Sequence, residues 1–233
     1  MSVVGFLSDA HGNGPALNKA LNVLRQHGAT QIFFLGDALG YIPSASALEL
    51  LMTDSAQVSC VIGNHDEAIL RGRFDPAKEA IYQHSALRAA LSVSALEFLA
   101  GWPDFRMVSI AQASVLMVHG SPANRLNGYL YPDSALDDAG SGADFIFMGH
   151  THRPFIRAQA RTTYVNVGSC GMPRDDGRFG AVALFDSELR QARVLRFDIT
   201  RETAMALEAA GPVSVAVRAN FARRSAEIFG EMD

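Results

Sequence analysis

Residues 149–154 read GHTHRP, with His150 and His152 on either side of one threonine and directly behind the apolar run DFIFM. In an extended chain residues i and i+2 point the same way, so both imidazoles would face one pocket. Imidazole at a strand exit can ligate a metal, move a proton or simply sit in a polar loop, and the pair alone does not choose. Four further apolar runs end in residues of the same kind. VVGFLSDAH delivers Asp9 and His11, QIFFLGD delivers Asp37, QVSCVIGNHD delivers Asn64, His65 and Asp66, and SVLMVHG delivers His119. Taken singly, Asp9 could turn or cap a chain, Asp37 could be a turn residue and Asn64 could cap the helix begun by HDEAIL. Five runs ending alike are harder to assign to turn chemistry. His27 and His84 lie within helical patterns away from any strand end and are read as ordinary helix residues.

With His65 set aside, the donors are two carboxylates, one amide oxygen and four imidazoles. An oxygen and nitrogen set of this kind suits Mn, Fe, Zn, Co or Ni better than Ca or Mg. No thiolate is among them, which disfavours a structural zinc knot, and seven donors are too many for one tetrahedral ion. Two ions sharing a carboxylate would use them well. A separation of roughly 3.5–4 Å is the geometry that clamps the attacking and leaving oxygens of a phosphoryl transfer.

The elements that must position these residues are legible from apolar patterning. The five runs, at 3–9, 31–37, 57–66, 114–120 and 144–150, read as strands buried on both faces. Helical patterns lie between the first three, at 15–28, with Pro15 near its start and Gly28 at its end, and at 44–52. The order β-α-β-α-β argues for a mostly parallel sheet. Residues 76–101 read as two helical pieces, the second with Ser94 as its N-cap. Beyond residue 150 the texture becomes short strands at 155–159, 162–167, 179–185 and 192–198. The expectation is an α/β fold with two sheets packed face to face and helices outside. No repeat, linker or low-complexity tract divides the 233 residues, so residues 1–233 are taken as one domain, with a helical tail at about 201–233 broken at GPVSV.

Net charge is −4, and the chain shows no basic stripe, so a membrane surface or a long nucleic acid is not expected as a partner. Cys60 and Cys170 are far apart and form no CxxC motif, as fits reduced, buried thiols. The opening residues have no basic leader pattern and no stretch is long enough to span a bilayer, so a cytoplasmic protein is the expectation.

DAHGN, GDALGY, GNHD, VHGSP and GHTHRP, in this order, resemble the calcineurin-like metallophosphoesterases, and NVGSCGMPRDD is similar to a segment of their small bacterial phosphodiesterase branch. The likeness runs from residue 3 to about 198. It implies a four-layer α-β-β-α sandwich of two mixed sheets. It also implies one ion held by Asp9, His11, Asp37 and His152, and a second held by Asp37, Asn64, His119 and His150, with Asp37 bridging. A dinuclear centre of Mn, Fe, Zn, Ni or Co would then turn water into hydroxide near neutral pH and hydrolyse a small phosphate ester or nucleotide, most simply a phosphodiester. His65 takes the family's position for protonating the leaving group or binding a phosphate oxygen, and Asp66 either orients that ring or is an exposed helix-start aspartate. Arg125, Arg153 and Arg174 lie beside motifs and could grip the rest of an anionic substrate; Asn13 reaches the phosphate or turns its loop, and Tyr41 is undecided. The same metal core would support a dinucleoside polyphosphate hydrolase or a protein phosphatase. A catalytically silent binding scaffold is disfavoured because every ligand position is filled. Cys170 and Met172 depart from the branch pattern and leave substrate contacts there open. The final 30 residues exceed the expected length and could be a homo-oligomer arm or a lid, although packing onto the domain is favoured.

Overall fold

A computed structural model describes residues 3–233. In chain order its elements are β1 (Val3–Leu7), α1 (Gly14–Gln26), β2 (Ala29–Phe34), α2 (Ser46–Thr53), β3 (Val58–Cys60), α3 (Asn64–Arg71), α4 (Glu79–Tyr82), α5 (His84–Ala90), α6 (Val93–Ala100), β4 (Phe105–Ile110) and β5 (Ala113–Val118). There follow β6 (Phe145–Met148), β7 (Phe155–Gln159), β8 (Thr162–Asn166), β9 (Phe179–Asp186), β10 (Gln191–Asp198), α7 (Thr200–Ala209), α8 (Val215–Phe221) and β11 (Glu231–Met232). They form two mixed sheets, ordered β11-β10-β9-β1-β2-β3 and β4-β5-β6-β8-β7. The expected α/β sandwich is what the chain folds into.

Period-two burial explains how the sheets stack. Val4 and Phe6 of β1, Phe33 of β2, Val115 and Met117 of β5, Phe145 and Phe147 of β6, and Ala181, Ala183 and Phe185 of β9 share one cluster between the sheets. Their alternate neighbours Leu7, Ile32, Phe34, Val182 and Leu184 belong to a second cluster, with Ala20, Leu21 and Leu24 of α1 and Leu48 and Leu51 of α2. Such alternation is what a strand covered on both faces requires. Phe6 and Phe147 stack across the interior, centroids 3.8 Å apart and planes within 6°. Fully burying a ring of this size contributes about 1.5–3 kcal/mol.

The second sheet turns Leu116, Val118, Ile146 and Met148 outward against Leu130, Leu136 and Ala143. The layer over this face is therefore built by the irregular segment 119–144, whose Gly, Pro, Asn, Asp and Ser content favours turns over helix. Local departures from the sequence expectation have similar causes. Strand β4 carries no clear signal in the sequence, because its hairpin with β5 turns at Ala111 and Gln112, both at positive φ, without a Gly or Asn to mark it. Ser92, not Ser94, caps α6 by accepting from Ala95 N. The tail is not helical to its end: helix stops at Phe221, and Glu231–Met232 pair in parallel with β10. Arg196, fully buried on β10, holds this tail by donating to Phe229 O and, bidentately, to Asp175. Packing onto the domain is thus what the described tail does.

Candidate metal centre

Strands β1, β2 and β3 run parallel, as do β5 and β6 in the facing sheet, so each group exits its loops at its own carboxyl edge, where functional residues of α/β proteins gather. These loops bring together Asp9, His11, Asp37, Asn64, His65, His119, His150 and His152. All but Asn64 are at least nine-tenths buried.

The backbone at the site is unusual. Asp9, His11, Asp37, Tyr41, His150 and His152 all have positive φ, between 49° and 67°. A non-glycine residue held there costs of order 1–3 kcal/mol, so the surrounding contacts must over-determine it. The two histidines of GHTHRP are therefore not an extended pair, and the alternation that suggested a shared pocket does not apply, although both rings do line one cleft. Glycines allow the loops to close on the carboxylates. His65 N donates to Asp37 Oδ1 at 2.9 Å, and a Cβ on Gly63, two residues earlier, would stand 2.1 Å from that oxygen. His150 N donates to Asp9 Oδ2 at 3.0 Å, and a Cβ on Gly149 would stand 2.5 Å from it.

Two triads of donor atoms result: Asp9, His11 and His152, and Asp37, His119 and His150, each within 4.8 Å. His11, Asp37 and His65 form a third, overlapping group, which makes Asp37 common to two. Asp37 Oδ2 lies 3.6 Å from His11 Nε2 and 3.3 Å from His119 Nε2. The tautomers are set from behind. A carbonyl only accepts, so Nδ1 of His11, His119 and His152 carries the proton it donates to Leu39 O, Leu35 O and Met172 O respectively. Their Nε2 atoms then face inward, and the lone pairs of His11 and His152 meet at 3.1 Å. Nε2 of His119 faces Asp37 Oδ2 at 3.3 Å and Asn64 Oδ1 at 3.0 Å. Acceptors converging in a buried site repel one another unless a cation lies among them. Asp9 Oδ1 and His150 Nε2 are also buried with no hydrogen-bond partner. The donor set fits transition-metal ions.

Charge distribution agrees. Burial opposes ionisation of Asp9 and Asp37, but the histidines around them overrule it and hold both carboxyls well below the usual range. Burial pushes His150 and His152 down to about 4, keeping them neutral as ligands must be. At His119 burial is outweighed by the Asp37 carboxylate and its hydrogen bond, and the pKa rises to about 9. The pocket favours positive charge beside Asp37.

The remaining site expectations divide. His65 lines the cleft, its ring edge-on to His11 at 5.0 Å. Asp66 neither orients it nor lies exposed: it is fully buried, and its carboxylate accepts backbone N–H groups of Asp37, Ala38, Leu39 and Gly63. It braces the GDAL loop. The partner of His65 is His84, Nδ1 to Nε2 at 2.8 Å, a residue read from sequence as an ordinary helix histidine. The available signal was scarcity, since six of the seven histidines gather here. Asn13 caps α1, and its amide donates to Gly171 O and Thr203, so it is spent on structure and does not line the cleft. Arg125 lies over the Phe105 ring at 3.7 Å and is not on the cleft wall either. Arg174 is, donating to Tyr41 OH at 2.8 Å, while Arg153 borders the adjoining cavity. Lys78, Tyr82, Asn127 and Tyr129 also line the cleft, and no motif announced them.

The sequence profile of the calcineurin-like phosphoesterase superfamily domain matches residues 1–189. Fold and site together are those of a metal-dependent phosphoester hydrolase. The chain belongs to the calcineurin-like phosphoesterase superfamily. An uncharacterized protein of Methanocaldococcus jannaschii is 28% identical, the match covering 84% of this chain and 88% of that one. Phosphodiesterase YfcE of Escherichia coli is 22% identical, covering 79% and 87%. Among solved structures, a metallophosphoesterase from Sphaerobacter thermophilus superposes with a TM-score of 0.78 at 24% identity, covering 95% and 98%, a likeness of fold.

Proposed function

We propose that the chain is a single-domain, cytoplasmic phosphodiesterase with a dinuclear centre, hydrolysing a small phosphate ester or nucleotide. The observation that carries this is the pair of donor triads linked by Asp37, whose Oδ2 belongs to one and lies 3.6 Å from His11 Nε2 of the other, with the inward Nε2 atoms of His11 and His152 meeting in a buried site. In this reading Asp9, His11, Asp37 and His152 hold one ion, and Asp37, Asn64, His119 and His150 the other, with manganese the first metal to test. Bound ions of this kind supply a nucleophile at neutral pH and neutralise charge on the transferring phosphoryl group.

The chain's own residues do the rest. His65 stands at the cleft wall with Nδ1 engaged by His84, which leaves Nε2 for a phosphate oxygen or a leaving-group proton. Burial holds its pKa well below the ordinary value, so its ring is neutral. Arg174, braced by Tyr41, supplies a fixed positive charge at the same wall. A cleft of about 190 Å³ lined by Tyr41, Tyr82 and Tyr129 suits a small ester. Cytoplasmic placement is supported by two buried thiols, Cys60 and Cys170, and no helix among the described residues is long and apolar enough to cross a membrane.

Hydrolysis of bis(p-nitrophenyl) phosphate by purified chain with Mn, Fe, Zn, Co or Ni tests the activity, and elemental analysis tests the stoichiometry. The expected result is metal-dependent turnover lost in Asp37→Ala, with two ions per chain. One ion per fully active chain overturns the dinuclear reading.

A further inference from the structure

A larger cavity, of about 850 Å³, adjoins the cleft. The loop GHTHRP separates them residue by residue: His150 and His152 line the cleft, whereas Thr151 and Arg153 line the cavity. Arg174 borders both. The far wall comes from the tail, where Asn220 of α8 and Arg223 just beyond it face the same space, and Arg223 donates to Arg174 O at 3.3 Å. Among the described residues, none of Arg153, Arg174 and Arg223 pairs with a carboxylate within 4.0 Å. Asp133 is the one acidic residue of the lining. Three unpaired guanidinium groups against one carboxylate make a positive cavity in a chain of net charge −4.

A second feature joins the two spaces. Tyr129 on the cleft and Tyr131 on the cavity stack at 5.8 Å with planes within 10°, and they remain 55% and 38% exposed. Exposed aromatic faces beside guanidinium groups accept a planar, anionic ligand by stacking and bidentate hydrogen bonds.

We propose that this cavity is a second anion subsite, and that the preferred substrates are nucleotides carrying at least one phosphate beyond the one hydrolysed, with the base against the Tyr129–Tyr131 stack. This rests on the phosphoesterase reading and adds the substrate class. The reaction is unchanged: water oxygen bonds to phosphorus, one P–O bond breaks, and the proton passes to the leaving oxygen. The tail thereby gains a role in recognition as well as packing.

Binding is measured on the metal-loaded full chain at fixed free Mn²⁺, with AMP and with α,β-methylene ADP, whose phosphates cannot be cleaved apart. The diphosphate is expected to bind about tenfold or more tighter than AMP, as one charge-assisted contact would give. Arg223→Glu is expected to erase that gap, with Arg223→Lys keeping most of it; the readout is the ratio of the two affinities within each variant, so that any effect passed through Arg174 to both nucleotides cancels. Equal affinity for the two nucleotides, or a gap that survives Arg223→Glu, overturns the subsite. Hydrolysis of bis(p-nitrophenyl) phosphate is followed in parallel. Its absence in the unaltered chain counts against the phosphoesterase reading alone, because the binding comparison does not depend on turnover.

Discussion

The Nε2 atoms of His11 and His152 stand 3.1 Å apart, each ring turned inward by an Nδ1–H bond to a backbone carbonyl. Neither atom can donate to the other in those tautomers, so the contact is repulsive in neutral protein without a cation. Metal should therefore stabilise the fold. Saturating Mn²⁺ at about 100 times its Kd is expected to add about 2.7 kcal/mol for each ion bound, read as a rise in Tm that EDTA reverses. A Tm indifferent to both would contradict the site.

The two histidines of GHTHRP belong to different triads. Converting His150 to Ala should deplete the ion nearer His119 first, and converting His152 to Ala the ion nearer His11. Elemental analysis at limiting metal, with anomalous scattering to locate the remaining ion, separates the outcomes. Equal loss of both ions from either change would remove the partition.

His84 is positioned to hold the His65 ring through one nitrogen. His84→Ala should lower kcat by about 10–100-fold with KM little changed, as for loss of general acid–base assistance. Metal content should stay at the level of the unaltered chain, and His84→Gln, which can still hydrogen-bond Nδ1, should recover part of the loss. A matching fall in metal content would make His84 a structural residue instead.

Gly63→Ala puts a methyl group 2.1 Å from Asp37 Oδ1 in a loop that cannot retreat. Overpacking of this kind costs about 1–3 kcal/mol, and here it should also weaken metal binding. Chemical denaturation and metal titration of the variant check both. Gly101→Ala is the control, since its φ of −79° suits any residue and a Cβ there meets nothing closer than 3.4 Å.

Asp176 accepts hydrogen bonds from Arg178 and from Ser225 N of the tail, and the Arg178 bonds hold its carboxyl well below the usual range. A folded pKa below the unfolded value, about 3.9, gives stability that is complete above the unfolded pKa and is lost as pH falls toward the folded one. Asp176→Asn should thus lower Tm by a constant amount at pH 6–8. Below about pH 4, where the unaltered chain begins to lose the same term, the difference should narrow. A gap that widened on acidification would reverse the sign and exclude this origin.

Much of the centre could be read from sequence because strand exits concentrate donors: Asp9, Asp37, His119 and His150 each close an apolar run that the buried strand itself makes conspicuous. What escaped was whatever depends on the path of loops. His84 reaches His65 across nineteen positions, and Tyr129 reaches His150 from a segment without periodicity. The left-handed backbone at six site residues was equally invisible, since Asp and His advertise no positive φ as glycine does. Asp66 was misplaced for a related reason: its four partners are main-chain N–H groups, which no residue letter records.

Phe6 and Phe147 stack between the sheets three residues behind Asp9 and His150, the proposed ligands contributed by opposite halves of the sandwich. The span of the centre is thus gauged by two hydrocarbon plates in a dry interior. Loop sequences can vary while that gauge holds, and a cavity cut at Phe147 would loosen the spacing of Asp9 and His150 without altering a single donor.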